Sequence, residues 1–315
     1  MRNVGEERED VLKEVNQALI HNGYETKVCE VVGSNCFDIV AKRKERMLII
    51  KVLVNVDNYT REQARDLKKI TKTITAIPIL IGLRTRRSEL IEGVIHERYG
   101  LKVVGVDTFK NALKNDAPAV LIKRGGAYVR INGKRLRRAR IRYGFSLGEL
   151  AKKVGVSRKA IYEYENENMC ATLEVALKLE EILGERLIEP LNLFEEVIKN
   201  ERHDEIGINN TEQVAIKAKE ALAELGLKAE ALKRAPFNVI AADEVYSLRM
   251  IAEAKQTIDE IKRIKVKTVK ELAEVMDAKA LVMVERESGI DDLEGVPVID
   301  ILRLKRGDIP EILGI

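Results

Sequence analysis

The sequence predicts two α/β domains on either side of a central all-α segment. Residues 5–106 alternate helical and strand-like stretches, residues 211–315 repeat that pattern, and residues 132–184 carry helical periodicity alone. A chain of 315 residues is long enough for two or three such domains. The predicted limits are 1–122 for the first α/β domain, 123–131 for a connector, 132–194 for the all-α domain, 195–210 for a linker and 211–315 for the second α/β domain.

The first α/β domain opens with an amphipathic helix. Val11, Val15 and Leu19 recur at helical spacing, and Gly23 follows the last turn. Alternating apolar residues and turn residues then define the elements up to residue 115. We predict a helix over 5–22, strands over 24–32, 37–41 and 47–54, a helix over 60–72, a strand over 77–83, a helix over 89–99 and a strand over 101–106.

The connector contains the pair Gly125-Gly126 between two short apolar stretches. Glycine pairs are typical of tight turns. The segment is therefore compatible with a hairpin packed against the all-α domain as well as with a loose linker.

The central domain contains two short helices joined by a tight turn. Ser146 and Glu149 have the spacing of a capping box, in which each side chain satisfies a free backbone N–H of the helix start. Gly155 allows a sharp turn, and Ser157 can cap the next helix. The second helix turns Ile161 and Tyr164 inward and exposes basic and aromatic side chains near its start. Such a helix can reach base edges in the major groove of DNA.

Residues 132–184 resemble the Cro/lambda-repressor type of helix-turn-helix domain. The resemblance rests on Arg140 in the first helix, Glu165 at the end of the recognition helix, the pair Leu173-Glu174 and the ending Leu183-Gly184. It implies that residues 157–165 form a recognition helix in the major groove. The predicted base-reading residues are Ser157, Arg158, Lys159 and Tyr162. The predicted phosphate-binding residues are Arg137, Arg138, Arg140, Ser146, Lys152 and Lys153.

The charge distribution supports the same function. Residues from Lys123 to Glu165 include thirteen Lys or Arg and three Glu, a net charge of +10, whereas residues 166–205 have a net charge of −7. The whole chain has a net charge of only +4, so positive charge is concentrated in this domain. A basic patch of this kind is typical of phosphate binding, since each neutralised phosphate releases counterions.

The second α/β domain reads as a diverged repeat of the first. The apolar face of the helix at 211–225 matches that of the first helix at an offset of 203, FDIVA at 37–41 matches FNVIA at 237–241, and the strand at 79–83 matches 280–284. The alternative is that two unrelated α/β units share general patterning. In this alignment Asn238 replaces Asp38, and Ile251 falls opposite Lys51.

The order helix, three strands, helix, strand resembles the PD-(D/E)xK nuclease-like fold. The resemblance implies an aspartate on the second strand and an acid two residues before a lysine on the third, which hold Mg²⁺ and the scissile phosphate. Asp38 and Lys51 match the aspartate and the lysine, with Glu7 or Glu14 as a further acid, but Ile49 replaces the second acid. The second copy supplies Glu253 and Lys255 at acid-x-lysine spacing but lacks the aspartate. We therefore interpret both domains as catalytically inactive, with Asp38 and Lys51 as remnants of a site.

Taken as a whole, the domain order resembles archaeal Cro-type transcriptional regulators, and we predict a sequence-specific regulator that is not an enzyme. The expected partners are double-stranded DNA, a second copy of the chain as a homodimer, and a protein or effector that binds the α/β domains. The alternatives are a Mg²⁺-dependent, structure-specific nuclease targeted by the helix-turn-helix, and an architectural or antitoxin-like DNA-binding protein.

No cofactor or metal is expected, because the three histidines are scattered and the glycines form no phosphate loop. Cys29, Cys36 and Cys170 lack Cys-x-x-Cys spacing, and the charged start MRNVGEERED is unlike a signal peptide. These features predict a cytoplasmic protein without a membrane segment.

Overall fold

The computed structural model describes residues 4–29, 35–195, 210–243, 248–286 and 288–304. They form two units. Residues up to Leu80 and from Asn210 onward make up one, which we call the duplicated unit, and Ile81–Glu195 make up the other, the helix-turn-helix unit. The described part contains no helix that is long and apolar enough to cross a membrane.

The first half of the duplicated unit follows the predicted order of elements. Its elements are α1 (Val4–His21), β1 (Glu25–Val28), β2 (Ile39–Arg43), β3 (Arg46–Asn55), a 3₁₀ turn at Val56–Asn58, α2 (Arg61–Ile74) and β4 (Ile77–Arg84). β1, β2 and β3 are antiparallel neighbours, and β4 lies beside β3. Thr60 and Gln63 form a capping box that begins α2. The predicted strand over 24–32 ends at Val28, and residues 30–34 lie outside the described residues.

The helix-turn-helix unit contains more than the helices that define it. Its elements are β5 (Val94–Arg98), β6 (Leu101–Gly105), α3 (Val106–Leu113), β7 (Val120–Lys123), β8 (Gly126–Ile131), α4 (Gly133–Arg142), α5 (Leu147–Val154), α6 (Arg158–Glu165), β9 (Ala171–Thr172), α7 (Leu173–Leu183) and β10 (Ile188–Glu189). β5 pairs with β6 and β7, and β8 pairs with β7, β9 and β10.

One sequence prediction for this region is wrong. The sequence places a helix over 89–99, but the structure has a turn and then the strand β5. Val94 and Ile95 are β-branched and buried, and the neighbouring strands complete their backbone hydrogen bonds. The compact units divide at Leu80–Ile81, which places residues 81–122 in the helix-turn-helix unit, and the predicted limit of the first α/β domain at residue 122 stays a prediction.

The second half of the duplicated unit repeats the first. Its elements are α8 (Asn210–Glu224), β11 (Lys228–Ala231), β12 (Val239–Asp243), β13 (Leu248–Lys255), a 3₁₀ turn at Ile258–Glu260, α9 (Arg263–Met276), β14 (Lys279–Val284), β15 (Asp292–Leu293) and β16 (Val296–Asp300). The strand order is β11-β12-β13-β14-β16-β15. The structure thus contains the predicted repeat, down to the 3₁₀ turn after the third strand. Most of the predicted linker at 195–210 lies outside the described residues.

The two halves of the duplicated unit pack reciprocally. α2 packs against β11 and β12, while its counterpart α9 packs against β1 and β2. The Phe37 and Phe237 rings, which occupy equivalent positions, lie 6.2 Å apart between centroids and are both fully buried. A residue that contacts its own counterpart lies near a two-fold axis. The duplicated unit is therefore an intramolecular pseudo-dimer.

Ion pairs follow the same pseudo-symmetry with their charges exchanged. Lys69 on α2 pairs with Glu230 on β11 at 3.1 Å. At the equivalent place, Glu271 on α9 pairs with Lys27 on β1 at 2.7 Å. Both lysines lie on the first half and both glutamates lie on the second half. Two copies of the same half would therefore place like charges opposite each other. This arrangement favours pairing of the first half with the second.

Lys102 on β6 holds the end of the helix-turn-helix unit. Its Nζ donates to the backbone carbonyls of Asn192 at 2.8 Å, Leu193 at 3.1 Å and Glu195 at 2.8 Å. Burial lowers the pKa of Lys102 from 10.5 to about 8, although the nearby Glu195 opposes that shift. The ammonium therefore fixes the segment that follows β10.

Replacing Lys102 by Met should destabilise the helix-turn-helix unit, with an effect that depends on pH. The folded-state pKa is lower than the unfolded one, so between pH about 8 and 10.5 the unfolded chain binds more protons, and the stability of the wild type rises with pH. The variant lacks this contribution. Thermal unfolding across that range should therefore show a wild-type advantage that widens with pH, and a constant difference would contradict the account.

Candidate nucleic-acid interface

The second helix of the motif, α6, presents basic and aromatic side chains to solvent. Arg158, Lys159 and Tyr162 are exposed, whereas Ile161 and Tyr164 are buried in the core of the unit. Ser157 begins the helix, and its Oγ accepts a hydrogen bond from the Ala160 backbone N–H at 3.1 Å. The predicted inward and outward faces of this helix are confirmed.

The preceding helix, α5, is fixed at both ends by the predicted residues. Ser146 Oγ accepts from the Glu149 N–H at 3.1 Å, and the Glu149 carboxylate accepts from the Ser146 N–H at 2.7 Å. Gly155 ends the helix with a φ of 85°, a left-handed conformation that glycine adopts without strain. These interactions fix the turn between α5 and α6 and so set the direction of α6.

Arg140 on α4 braces α6 from behind. Its Nε donates to Glu165 Oε1 at 2.5 Å, its Nη2 to Glu165 Oε2 at 3.1 Å and its Nη1 to the Phe145 carbonyl at 2.8 Å. The Arg140 side chain is 12% exposed and that of Glu165 is 7% exposed. The bidentate hydrogen bond raises the pKa of Arg140, so the guanidinium stays charged. This geometry fits a structural brace better than the predicted phosphate contact.

The other predicted phosphate-binding residues are differently placed. Arg137 and Arg138 on α4, and Lys152 and Lys153 on α5, are exposed. The Lys153 ammonium lies 5.4 Å from the centroid of the Phe145 ring. Ser146 uses both its side chain and its backbone N–H in the capping box. Four of the predicted phosphate-binding cations are thus exposed on the two helices that precede α6.

Asp38, the predicted remnant of a metal site in the duplicated unit, accepts three hydrogen bonds from the protein. Its Oδ1 accepts from Lys51 Nζ at 3.0 Å and from Arg8 Nη2 at 2.6 Å, and its Oδ2 accepts from the Val52 N–H at 2.8 Å. Asp38 and Lys51 are both buried, as is Ile49 at the position of the missing acid. A metal ion at Asp38 would have to displace two cations.

The second half shows which residues are equivalent to this pair. The Asp38 N–H donates to the Ile50 carbonyl, and the Asn238 N–H donates to the Ala252 carbonyl. The residue that follows in each third strand is Lys51 in the first half and Glu253 in the second. The alignment of Ile251 with Lys51 is therefore wrong. The segment between β12 and β13 is two residues longer than that between β2 and β3, which shifts the register.

Glu253 lies in a basic environment at the core of the second half. It is fully buried, and its Oε1 lies 3.0 Å from Lys265 Nζ and 3.5 Å from Lys255 Nζ. A cleft of about 250 Å³ opens beside it, lined by Gln213, Val214, Lys217, Lys255, Gln256, Glu260 and Glu285. Within the described ranges, no three His, Cys, Asp or Glu side chains are grouped so that they could hold a metal ion.

Comparison with known proteins places both kinds of domain in described families. Residues 8–118 match the PD-(D/E)XK superfamily domain, and residues 136–189 match the helix-turn-helix family. A protein from Methanocaldococcus jannaschii is 36% identical over 89% of this chain and 88% of its own length. One from Pyrococcus furiosus is 36% identical over 98% of this chain and 97% of its own length. Each is named "Putative HTH-type transcriptional regulatory protein". The chain belongs to this archaeal family.

Membership of the family agrees with the predicted combination of domains. The structure also shows side-chain contacts of residues that the sequence did not indicate. The sequence did not indicate Arg8, because the nuclease-like pattern has acids such as Glu7 or Glu14 on the first helix and no basic residue there. Its side chain reaches Asp38, 30 residues away. The pairing of Glu165 with Arg140 could have been predicted, since both residues are among those that resemble the Cro-type helix-turn-helix domain.

Proposed function

We propose that the chain is a sequence-specific DNA-binding transcriptional regulator whose recognition helix, residues 157–165, lies in the major groove. The observation that carries the proposal is the exposed Arg158, Lys159 and Tyr162 at the start of a helix fixed by the Arg140–Glu165 brace. Side chains at this place in a helix-turn-helix can reach base edges. The names of the relatives agree with a regulator.

In this proposal Ser157, Arg158, Lys159 and Tyr162 read bases. Arg137, Arg138, Lys152 and Lys153 hold phosphates, and the free N–H groups at the start of α5 add a helix-terminus contact. Arg140 and Ser146, the other two predicted phosphate-binding residues, are not included, because the Arg140 guanidinium binds Glu165 and the Phe145 carbonyl and Ser146 forms the capping box with Glu149.

The chain acts as a homodimer in this proposal. One helix-turn-helix reads a short half-site, so two copies on an inverted repeat, with half-sites about 34 Å apart, give the required specificity. The second copy is needed because each chain carries one such motif among its described residues. The two halves of the duplicated unit already pack against each other within one chain. The contact between two copies of the chain therefore involves other surfaces.

The duplicated unit has a non-catalytic role in this proposal. Lys51 and Arg8 neutralise Asp38, and Asn238 stands at the equivalent place in the second half. A PD-(D/E)xK nuclease holds Mg²⁺ with an aspartate and a second acid, and the first half has Ile49 in place of that second acid. The unit would instead serve assembly or bind an effector. DNA that stays intact in the presence of Mg²⁺ supports this role, and nicking that Asp38→Ala abolishes would refute it.

Two substitutions separate base reading from phosphate binding. Replacing Arg158 by Ala should cost about 1–3 kcal/mol on the preferred sequence and relax the preference at one base position. Replacing Lys153 by Ala should weaken binding to all sequences alike and lower the magnitude of the salt slope by about one. Binding titrations on preferred and scrambled duplexes at several salt concentrations measure both effects. If both variants lost affinity uniformly, the assignment of the base-reading residues would fail.

A further inference from the structure

The hairpin of β7 and β8 is built into the core of the helix-turn-helix domain. Val129 and Ile131 on β8 are buried in the same cluster as Leu136 of α4, Leu150 of α5 and Ile161 of α6. β8 also pairs with β9 and β10, the strands on either side of α7. The hairpin is therefore rigidly connected to the recognition helix, unlike a loose linker.

The tip of this hairpin is narrow and basic. Lys123 and Arg124 precede Gly125 and Gly126, whose φ angles are 105° and 135°. A Cβ on Gly125 would come within 3.0 Å of the Tyr128 hydroxyl, so the turn requires glycine there. The Lys123 ammonium lies 4.7 Å from the centroid of the Tyr128 ring.

Neither cation of the tip is neutralised by the described part of the chain. No ion pair to Lys123 or Arg124 is formed by any described carboxylate, whereas Arg130 further along β8 pairs with Glu195 at 3.7 Å. Arg124 is exposed, and the glycines place no side chain between the backbone and an approaching ligand. Two free cations on a slender turn match the charge of a nucleic-acid backbone.

The hairpin runs beside the segment that follows the recognition helix. Tyr128 is the register partner of Thr172. Thr172 caps α7 and lies seven residues after Glu165, the end of α6. The hairpin therefore lies beside the start of α7, in the same unit as the recognition helix.

We propose that the β7–β8 tip, through Lys123 and Arg124, is a second DNA contact that binds the phosphate backbone next to the site read by the recognition helix. This inference rests on the proposed function, since it places the tip on the same duplex. The contact carries no base specificity, because it consists of two point charges and a glycine turn. Its effect is to fix the orientation of the recognition helix on DNA.

The test compares full-length chains with matched losses of charge. The first variant is Lys123→Ala with Arg124→Ala. The control is Arg98→Ala with Lys114→Ala, which removes two cations of the same unit. Arg98 matches Lys123 in lying over a tyrosine ring, with its Cζ 4.8 Å from the centroid of Tyr99. Binding to a random-sequence duplex is titrated between roughly 50 and 200 mM salt. Circular dichroism melting shows whether each variant folds.

The hairpin variant should lower the magnitude of the salt slope by about 1.8, since each neutralised phosphate contributes roughly 0.9. The control should leave the slope unchanged. If the double variant unfolds, Arg124→Ala alone, at an exposed position, should lower the slope by about 0.9.

An unchanged slope in the hairpin variant, with Arg158→Ala still losing affinity for the preferred duplex, would overturn this inference and leave the proposed function standing. If Arg158→Ala also bound as tightly as the wild type, the proposed function itself would fail. A slope lowered equally by the hairpin and control variants would show a general effect of net charge and would likewise overturn the inference.

Discussion

Replacing Arg140 by Ala is expected to lower the free energy of unfolding of the helix-turn-helix unit by about 3–5 kcal/mol. The substitution leaves the carboxylate of Glu165 almost fully buried without its partner, and it removes the hydrogen bond to the Phe145 carbonyl. An unpaired buried charge costs more than the pair itself contributes. Urea unfolding followed by far-ultraviolet circular dichroism measures the loss.

Arg142→Ala is the matched control, two residues further along the same helix. Arg142 also pairs with a glutamate, Glu185, at 2.6 Å, but its side chain is 62% exposed. Exposed pairs contribute at most about 1 kcal/mol. Equal losses in the two variants would show that burial of the Arg140–Glu165 pair has no special effect, contrary to the account of the brace.

The substitutions Phe37→Ala and Phe237→Ala should each lower the free energy of unfolding by about 3–5 kcal/mol. Both rings are fully buried, so removing either one leaves a cavity. The rings contact each other across the pseudo-two-fold axis. The double variant should therefore differ from the sum of the single variants by about 0.5–3 kcal/mol. A double-mutant cycle in urea measures this coupling.

Phe37→Ala combined with Leu222→Ala provides the control cycle. Leu222 is buried in the core of the second half, with α8 and β11, rather than at the axis. These two substitutions should add. If the Phe37 and Phe237 losses were also additive, and if each variant affected a separate unfolding transition, the two halves would fold independently and the pseudo-dimer would be wrong.

The sequence predicted most elements that have strong local signals. The capping boxes at Ser146 and Thr60, the glycine at 155 and the helical spacing of buried residues act within a few positions of the chain. The repeat was visible for the same reason, because the apolar faces of equivalent elements recur at a nearly constant offset.

The errors arose where distant partners decide the structure. Part of the segment at 89–99 forms the strand β5 because β6 and β7 pair with it through backbone hydrogen bonds, which local spacing does not reveal. The equivalence of Lys51 and Glu253 depends on strand register. The connection between β12 and β13 is two residues longer than that between β2 and β3, which shifts this register.

The candidate interface was predicted only in part. Exposure of Arg158, Lys159 and Tyr162 followed from helical spacing and is confirmed. The use of Arg140 could not be judged from spacing, since a basic residue near DNA can face either a phosphate or a buried acid. In the structure the Arg140 guanidinium binds Glu165, 25 residues away.

We propose that the recognition helix reads a specific DNA sequence. The most direct test is selection of preferred sites from randomised DNA by the full-length protein, at two salt concentrations and with and without Mg²⁺. We expect enrichment of a short inverted repeat with half-sites about 34 Å apart, on DNA that remains intact. Cleavage in Mg²⁺, or retention of DNA without any sequence preference, would contradict it.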